Sequence, residues 1–312
     1  MAYTTTATLD DQVKTAFDQT AYFALRSQPL FEMVADVRST AQSHNGSGVQ
    51  FTFYADMAQA TTALTEATDV TAVALTDSAV TVTLAEYGNA VITTAKVRGT
   101  SFLNVDSDAA NIVGYNMADS MDKIVSDVAN GGTNVTHVGQ ASRGAITATD
   151  VYTAAEGRKA VAQLRGRNAP GWSNGNFMAV IHPDVSYDLR GDTAVTDVIQ
   201  YQLYQEGGPI KAGSIGTFNG IEYIENPRAG LIADGGSGTV DVYQTLICGR
   251  QGLAKAHSRA AGFGSEPSIV VGPVTDTLRR FNPIGWYHLV GYGIFRQACL
   301  QRVESASSIG AN

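Results

Sequence analysis

The sequence predicts an α+β protein in which strands and helices are segregated, not a run of alternating βαβ units. Three observations carry this. Residues 49–54 alternate apolar and polar, and residues 79–97 are dominated by β-branched side chains, so both read as strands. Residues 107–130 keep a helical period, with Ala110, Val113, Met117, Met121, Ile124 and Val128 along one stripe. Beyond Asp150 a mixed block of helices and short apolar strands leads into a further set of strands from residue 268 onward.

Taken in order, residues 1–48 form an N-terminal arm. Its first nine residues are rich in Thr and Ala. Residues 10–38 alternate helical patches with Pro29 and carry Phe17, Tyr22, Phe23, Phe31 and Met33. A segment this short and this aromatic cannot bury itself, so it is expected to pack along its own body or a neighbour. Residues 39–48 are a polar linker.

Residues 49–98 read as an extended β-hairpin loop reaching from the body. A two-stranded ribbon is at best marginally stable alone in water, and its edges invite pairing, so docking on another subunit is expected. Its charges are Asp56, Glu66, Asp69, Asp77 and Glu86, with no Lys or Arg between Phe51 and Ala95. One sign of charge calls for a basic acceptor surface. The plainer alternative is a solvated acidic loop.

Residues 99–150 hold the long helix. Asp106 or Ser107 is the expected cap, Gly131-Gly132 the stop, and roughly 24 residues give a rod of about 36 Å. Thr147-Ala148-Thr149-Asp150 has the form of a capping box for a second helix, which Asn168-Ala169-Pro170 ends. Residues 151–250 then supply the apolar strand Phe177–Ile181 and a helix from Pro183 to Arg190 closed by Gly191. A helix near Val195–Gln205 follows, then a hairpin over 215–224 turning on Asn219-Gly220, and a strand at 241–247. Residues 251–312 return as strands that complete the sheets.

Composition narrows the function. With 312 residues and 44% hydrophobic content the chain can bury a sizeable core. Only 16% of residues are charged, and fifteen of the basic residues are arginines against six lysines. Interface cores are depleted in charge and favour arginine, whose planar fork is weakly hydrated. Codon bias explains the arginines equally well. The net charge of −8 argues against a dedicated nucleic-acid binder, though not against a protein that encloses nucleic acid. Cys248 and Cys299 lack metal-site spacing and read as buried thiols. No apolar signal region opens the sequence, and no run of about 18 apolar residues crosses a membrane.

Chemical motifs are weighed and set aside. Asp106-Ser107-Asp108 lacks the glycine and the closing glutamate of a calcium loop. Gly249 to Lys255 lacks the spacing of a phosphate loop, and Gly235 to Gly238 opens no helix. His44, His137, His182, His257 and His288 form no ligand-spaced pair. His182, just before Pro183-Asp184, reads as a helix-start hydrogen bonder. No serine sits in a nucleophile elbow. No catalytic, cofactor-binding or metal constellation is expected, and the chain is not read as an enzyme.

The order of parts resembles the major capsid proteins of tailed bacteriophages, with their Hong Kong 97-like fold. Leu64-Thr65-Glu66 with Thr81 to Asn89, Asn168-Ala169-Pro170, Ala179 to Arg190, Gly216 to Ile221 and Pro283 to Tyr287 are similar to stretches of one large branch of these proteins. The resemblance implies an N-terminal arm, an extended hairpin loop, a long spine helix, a peripheral domain and an axial α/β domain over 151–250. It implies pentamers and hexamers closing an icosahedral head around double-stranded DNA without sequence-specific binding. Assembly would take place in the bacterial host cytoplasm, and the place of function would be the virion capsid. A portal is the expected further partner; scaffolding and decoration proteins would be separate chains. Asp56, Glu66, Asp69, Asp77, Glu86, Phe17, Tyr22, Phe23, Arg158, Arg165 and Arg167 are the expected assembly contacts. The alternative is the shell of a cellular nanocompartment with the same fold. Some members cross-link through a lysine on the extended loop; here no lysine lies between Phe51 and Ala95.

Overall fold

The computed structural model describes residues 31, 35–37 and 48–309, apart from 56, 68, 102–103, 173–174, 193–213, 258–266, 272–275 and 279. The expected arm contacts Phe17, Tyr22 and Phe23, the residue Asp56 and the helix expected near 195–205 lie outside the described residues. The elements are β1 (Ala35–Val37), β2 (Gly48–Tyr54), β3 (Asp77–Thr83), β4 (Ala85–Thr94), α1 (Ala95–Thr100), α2 (Val105–Asn130), β5 (Val135–His137), α3 (Ala154–Gly166), β6 (Phe177–Ile181), α4 (Pro183–Gly191), β7 (Ser214–Phe218), β8 (Ile221–Glu225), β9 (Gly230–Ile232), β10 (Val242–Cys248), β11 (Leu253–His257), β12 (Ser268–Val271), β13 (Phe281–Ile294) and β14 (Leu300–Ser305). Two compact units share them. Among the described residues the first comprises 88–117 and 268–287, and the second the remainder; α2 and β13 each begin in the first and end in the second.

The second unit is built on a seven-stranded sheet of order β5-β14-β10-β6-β8-β7, with β9 also on β10. β10 is buried at every position, as a central strand covered on both faces must be. Alternation along β6 divides the core. Phe177, Ala179 and Ile181 meet α3 and α4 through Ala160, Val161, Leu164, Val185 and Leu189. Val180 on the opposite face meets Val125 and Ala129 of α2, with Phe31 and Leu246. The hairpin β7–β8 turns as expected on Asn219 (φ 52°) and Gly220 (φ 80°). α3 ends in a Schellman motif: Asn168 takes φ 55°, Ala169 N–H donates to Leu164 O, and Asn168 N–H donates to Arg165 O.

Several expectations need correction. α2 begins at Val105, so neither Asp106 nor Ser107 caps it; Asp106 sits in the first turn and accepts the Thr93 hydroxyl at 2.8 Å. The buried face of α2 is Ala109, Val113, Met121, Val125 and Ala129, with Asp122 and Ser126 buried beside them. Ala110, Met117, Ile124 and Val128 are half-buried, because the helix turns a polar position inward where Asp122 Oδ1 accepts the Phe31 N–H at 2.6 Å. Thr147 to Asp150 is a closed turn and not a helix cap: Asp150 Oδ2 accepts the N–H and the hydroxyl of Thr147, both at 2.8 Å. α3 starts at Ala154, whose N–H donates to Asp192 Oδ2 at 2.9 Å. Residues 79–97, which read as one or two strands, are two, and they end not at residue 97 but at α1, which Thr94 caps through Val97 N–H.

The hairpin's base is also corrected. β2 and β3 pair from Gly48↔Thr83 to Tyr54↔Asp77, but the ribbon does not wait for another subunit to bury it. Val49, Phe51 and Val82 pack on Ala254, Ala256 and Phe295 of the same unit. Phe51 and Phe53 each meet the Phe295 ring edge-to-face, at 5.9 and 5.8 Å. Gly291 and Gly293 of β13 make room: a Cβ on Gly293 would lie 2.8 Å from Val82 Cγ2, and one on Gly291 would strike Thr83 O.

In the first unit, β12 pairs antiparallel with β13, Ser268↔Tyr287 to Val271↔Ile284, and β4 also pairs with β13. Trp286 Nε1 donates to Asn116 Oδ1 at 3.0 Å, and Asn89 Nδ2 donates to the same oxygen at 3.3 Å, tying sheet to helix.

Candidate assembly surfaces

The surfaces most unlike those of a solitary protein are the loop between β2 and β3 and the exposed apolar residues of the first unit. Between Ala55 and Thr76 the loop has no strand or helix among its described residues, and its apolar side chains face solvent. Leu64 is 77% exposed, and Tyr54, Met57, Val70, Val73 and Leu75 are exposed with it. Glu66 and Asp69 in the same loop are exposed, so apolar and acidic groups share one stretch; Asp77 at the start of β3 and Glu86 on β4 are exposed as well. Large exposed apolar patches rimmed by polar groups mark interaction sites. The first unit adds Val91, Ile92, Val97, Ile112, Ile269, Val270, Val271, Leu278 and Phe281 in exposed positions. All four residues of β12, Ser268 to Val271, are exposed.

The arginines divide. Arg158 and Arg165 are exposed on α3 and pair with no carboxylate among the described residues; the Arg165 guanidinium lies over the Asn219-Gly220 turn. Arg167 is half-buried and donates from Nη2 to Gln301 Oε1 at 2.9 Å, which joins it to β14 and not to the surface stripe. Thus the structure brings Arg158 and Arg165 onto one helix face, and it leaves the loop acids on their own stretch of chain.

A charged cluster escaped sequence reasoning. Glu304 on β14 is fully buried. Its Oε2 accepts from Arg143 Nε at 2.8 Å and its Oε1 from Arg143 Nη2 at 2.6 Å, a bidentate pair. Gln244 Nε2 donates to Oε1 at 3.1 Å, Arg302 Nε lies 3.0 Å from it, and His137 Nε2 lies 3.3 Å from Oε2. Burial opposes ionisation, but the Arg143 and Gln244 hydrogen bonds and the two guanidinium charges outweigh it and hold the carboxyl below its ordinary 4.5. The available signal was the spacing of Arg302 and Glu304, two apart in a strand, which puts both on one face.

His182 Nδ1 accepts the Asp184 N–H at 3.3 Å at the start of α4, as expected, and burial lowers its pKa against the pull of Asp184. Both cysteines are buried and unbridged, and desolvation pushes the Cys248 thiol up. Among the described residues no group of three or more His, Cys, Asp or Glu could hold a metal ion, and no helix is long and apolar enough to cross a membrane.

With this geometry in hand, likeness to known proteins becomes informative. The chain matches the family described as phage capsid protein over residues 5–308. No curated protein matches it. Among solved structures, the capsid of Ralstonia phage GP4 is similar with a TM-score of 0.78 at 14% identity, over 98% of each chain. The capsid of cyanophage Pam1 gives 0.72 at 14% identity, over 96% of this chain and 97% of that one. The capsid of the Helicobacter pylori bacteriophage KHP30 gives 0.71 at 12% identity, over 98% and 99%. Identities this low show the fold alone, and that fold is the Hong Kong 97-like one.

Proposed function

This chain belongs to the phage capsid protein family, and from that premise we propose that its copies close as pentamers and hexamers into an icosahedral tailed-phage head around double-stranded DNA. The family and the fold are structural, not enzymatic. The observation that carries the finer reading is the exposed loop between β2 and β3. It presents five large apolar side chains, Met57, Leu64, Val70, Val73 and Leu75, and only acidic charges, and a shell of copies would cover them. In this reading residues 1–48 are an arm, 49–98 the extended loop, 99–150 a peripheral domain on its spine helix, 151–250 the axial domain, and 251–312 strands completing both. Arm and loop lie across neighbours, the axial domain meets its copies at the capsomer centre, and the head assembles in the host cytoplasm against a portal.

Electron microscopy of the purified protein under assembly conditions tests this. Closed shells or capsomers are expected; a persistent small monomer overturns the proposal. DNA protected from nuclease inside particles from infected cells separates a phage head from a nanocompartment, whose shell would hold protein cargo.

A further inference from the structure

Asparagine followed by glycine is the dipeptide most open to attack on its own side chain, because glycine places no Cβ beside the attacking backbone nitrogen. The chain holds four such pairs: Asn45-Gly46, Asn130-Gly131, Asn174-Gly175 and Asn219-Gly220. Both residues are described at the second and the fourth, and there the structure tells them apart. Asn130, half-buried at the end of α2, donates from Nδ2 to Ser126 Oγ at 3.3 Å. The Gly131 N–H donates back into the helix, to Asp127 O at 3.2 Å and Val128 O at 3.1 Å. The nitrogen that would attack is therefore already bonded.

Asn219-Gly220 differs at each point. Asn219 is exposed at the tip of the β7–β8 hairpin. Among the described residues neither its carboxamide nor the Gly220 N–H has a hydrogen-bond partner. The Gly220 carbonyl accepts the Phe177 N–H at 2.8 Å, so the turn is anchored on its carbonyl side while the nitrogen stays open. Arg165 adds a charge. Its Nη2 lies 3.0 Å from where a Cβ on Gly220 would stand, and it pairs with no carboxylate among the described residues. A cation at this range favours the anionic form of a neighbouring group, here the deprotonated Gly220 nitrogen through which attack proceeds.

We infer that Asn219 is a modification site, converted spontaneously to aspartate or isoaspartate, and that Arg165 both promotes the conversion and holds the carboxylate it produces. The Gly220 nitrogen gives up its proton and bonds to Asn219 Cγ. The Cγ–Nδ2 bond breaks, and the proton leaves with the amide nitrogen as ammonia. The five-membered imide then takes up one water. Opening at the new Cγ–N bond gives aspartate, and opening at the original peptide C–N bond gives isoaspartate; each leaves one carboxylate. Aspartate tolerates the left-handed conformation of residue 219, at φ 52°, so that product keeps the turn. Isoaspartate puts an extra atom into the backbone of a two-residue turn. Either carboxylate arises beside an unpaired guanidinium. The conversion needs only the folded subunit and does not depend on the capsid reading.

The test holds the purified, unassembled subunit at mildly alkaline pH and follows its asparagines over time by peptide mass spectrometry, with chromatography to separate aspartate from isoaspartate. Asn219 is expected to convert about tenfold faster than Asn130, whose attack must wait for the end of α2 to open. Arg165→Gln should slow the conversion of Asn219 by about threefold, a modest factor because solvent screens an exposed charge, and should leave Asn130 unchanged. Asn219→Asp presents one product from the outset. It should raise the melting temperature at low salt when Arg165 is present and not in the Arg165→Gln background. Conversion of Asn219 no faster than that of Asn130 overturns the inference. So does an unchanged rate in Arg165→Gln, or an effect of Asn219→Asp that is the same with and without Arg165.

Discussion

Glu304 is anionic, fully buried, and depends on Arg143 and Gln244 from other segments and on Arg302 of its own strand. Removing one partner of a buried pair is costly because the remaining charge cannot be resolvated. Arg143→Met should therefore destabilise the subunit by about 3 kcal/mol, the low end for such pairs because Arg143 itself is partly exposed. Urea unfolding of the unassembled subunit measures it. The pH dependence has a definite sign. The folded carboxyl titrates below 4.5, so its contribution is fully present above that value and is lost as pH falls through the lower folded value. Arg143→Met should flatten this acid-side loss; an unchanged acid limb would contradict the assignment. A second residue-scale prediction concerns Gly157. A Cβ there would lie 2.6 Å from the Tyr223 hydroxyl and 3.0 Å from that of Tyr152, two buried tyrosines whose hydroxyls are 3.1 Å apart. Burial drives the Tyr223 phenol up to about 12, so this buried pair stays neutral. Gly157→Ala should cost about 1–3 kcal/mol by overpacking, despite the higher helix propensity of alanine. A melting temperature at or above wild type would show that the pair yields.

Among the elements, those with a long period were legible and those without one were not. α2, α3, α4, β6, β10 and the Asn219-Gly220 hairpin were read from spacing and turn chemistry alone. β1, β5 and β9 have three residues each, too few to show alternation, and exist because longer strands accept them. The rotation of α2 about its axis was illegible for a different reason: Asp122 faces inward to take the N–H of Phe31, a partner 91 residues away. The base of the extended loop was misread because nothing in residues 49–83 reveals that Gly291 and Gly293 clear a seat for it on β13. What remains of the docking idea is the loop beyond Ala55, and there the acids can be tested. Glu66→Gln with Asp69→Asn removes two exposed charges that make no ion pair among the described residues. Subunit stability should not change. Each lost contact at an interface is worth only about 0.5 kcal/mol, but every copy in a shell loses it, so particle yield should fall. Equal yields from variant and wild type would leave the loop a solvated acidic segment.

On the scale of the whole molecule, low charge content, exposed apolar stretches and a family built for shells point the same way: stability is to be completed between copies. The means of completing it is constrained by composition. The loop between Phe51 and Ala95 carries no lysine, so no amine on it can form an isopeptide bond with a neighbour's side chain. Both cysteines are buried, which removes the other ready route to covalent linkage through exposed thiols. Shells of this chain should therefore be held by noncovalent contacts alone, spread over the loop and the exposed apolar groups of the first unit. Mature particles denatured in detergent without reductant should then release the subunit as one band near 32.9 kDa. A ladder of covalent multimers on that gel would show a linkage elsewhere on the chain and would shift the weight of particle stability away from these surfaces.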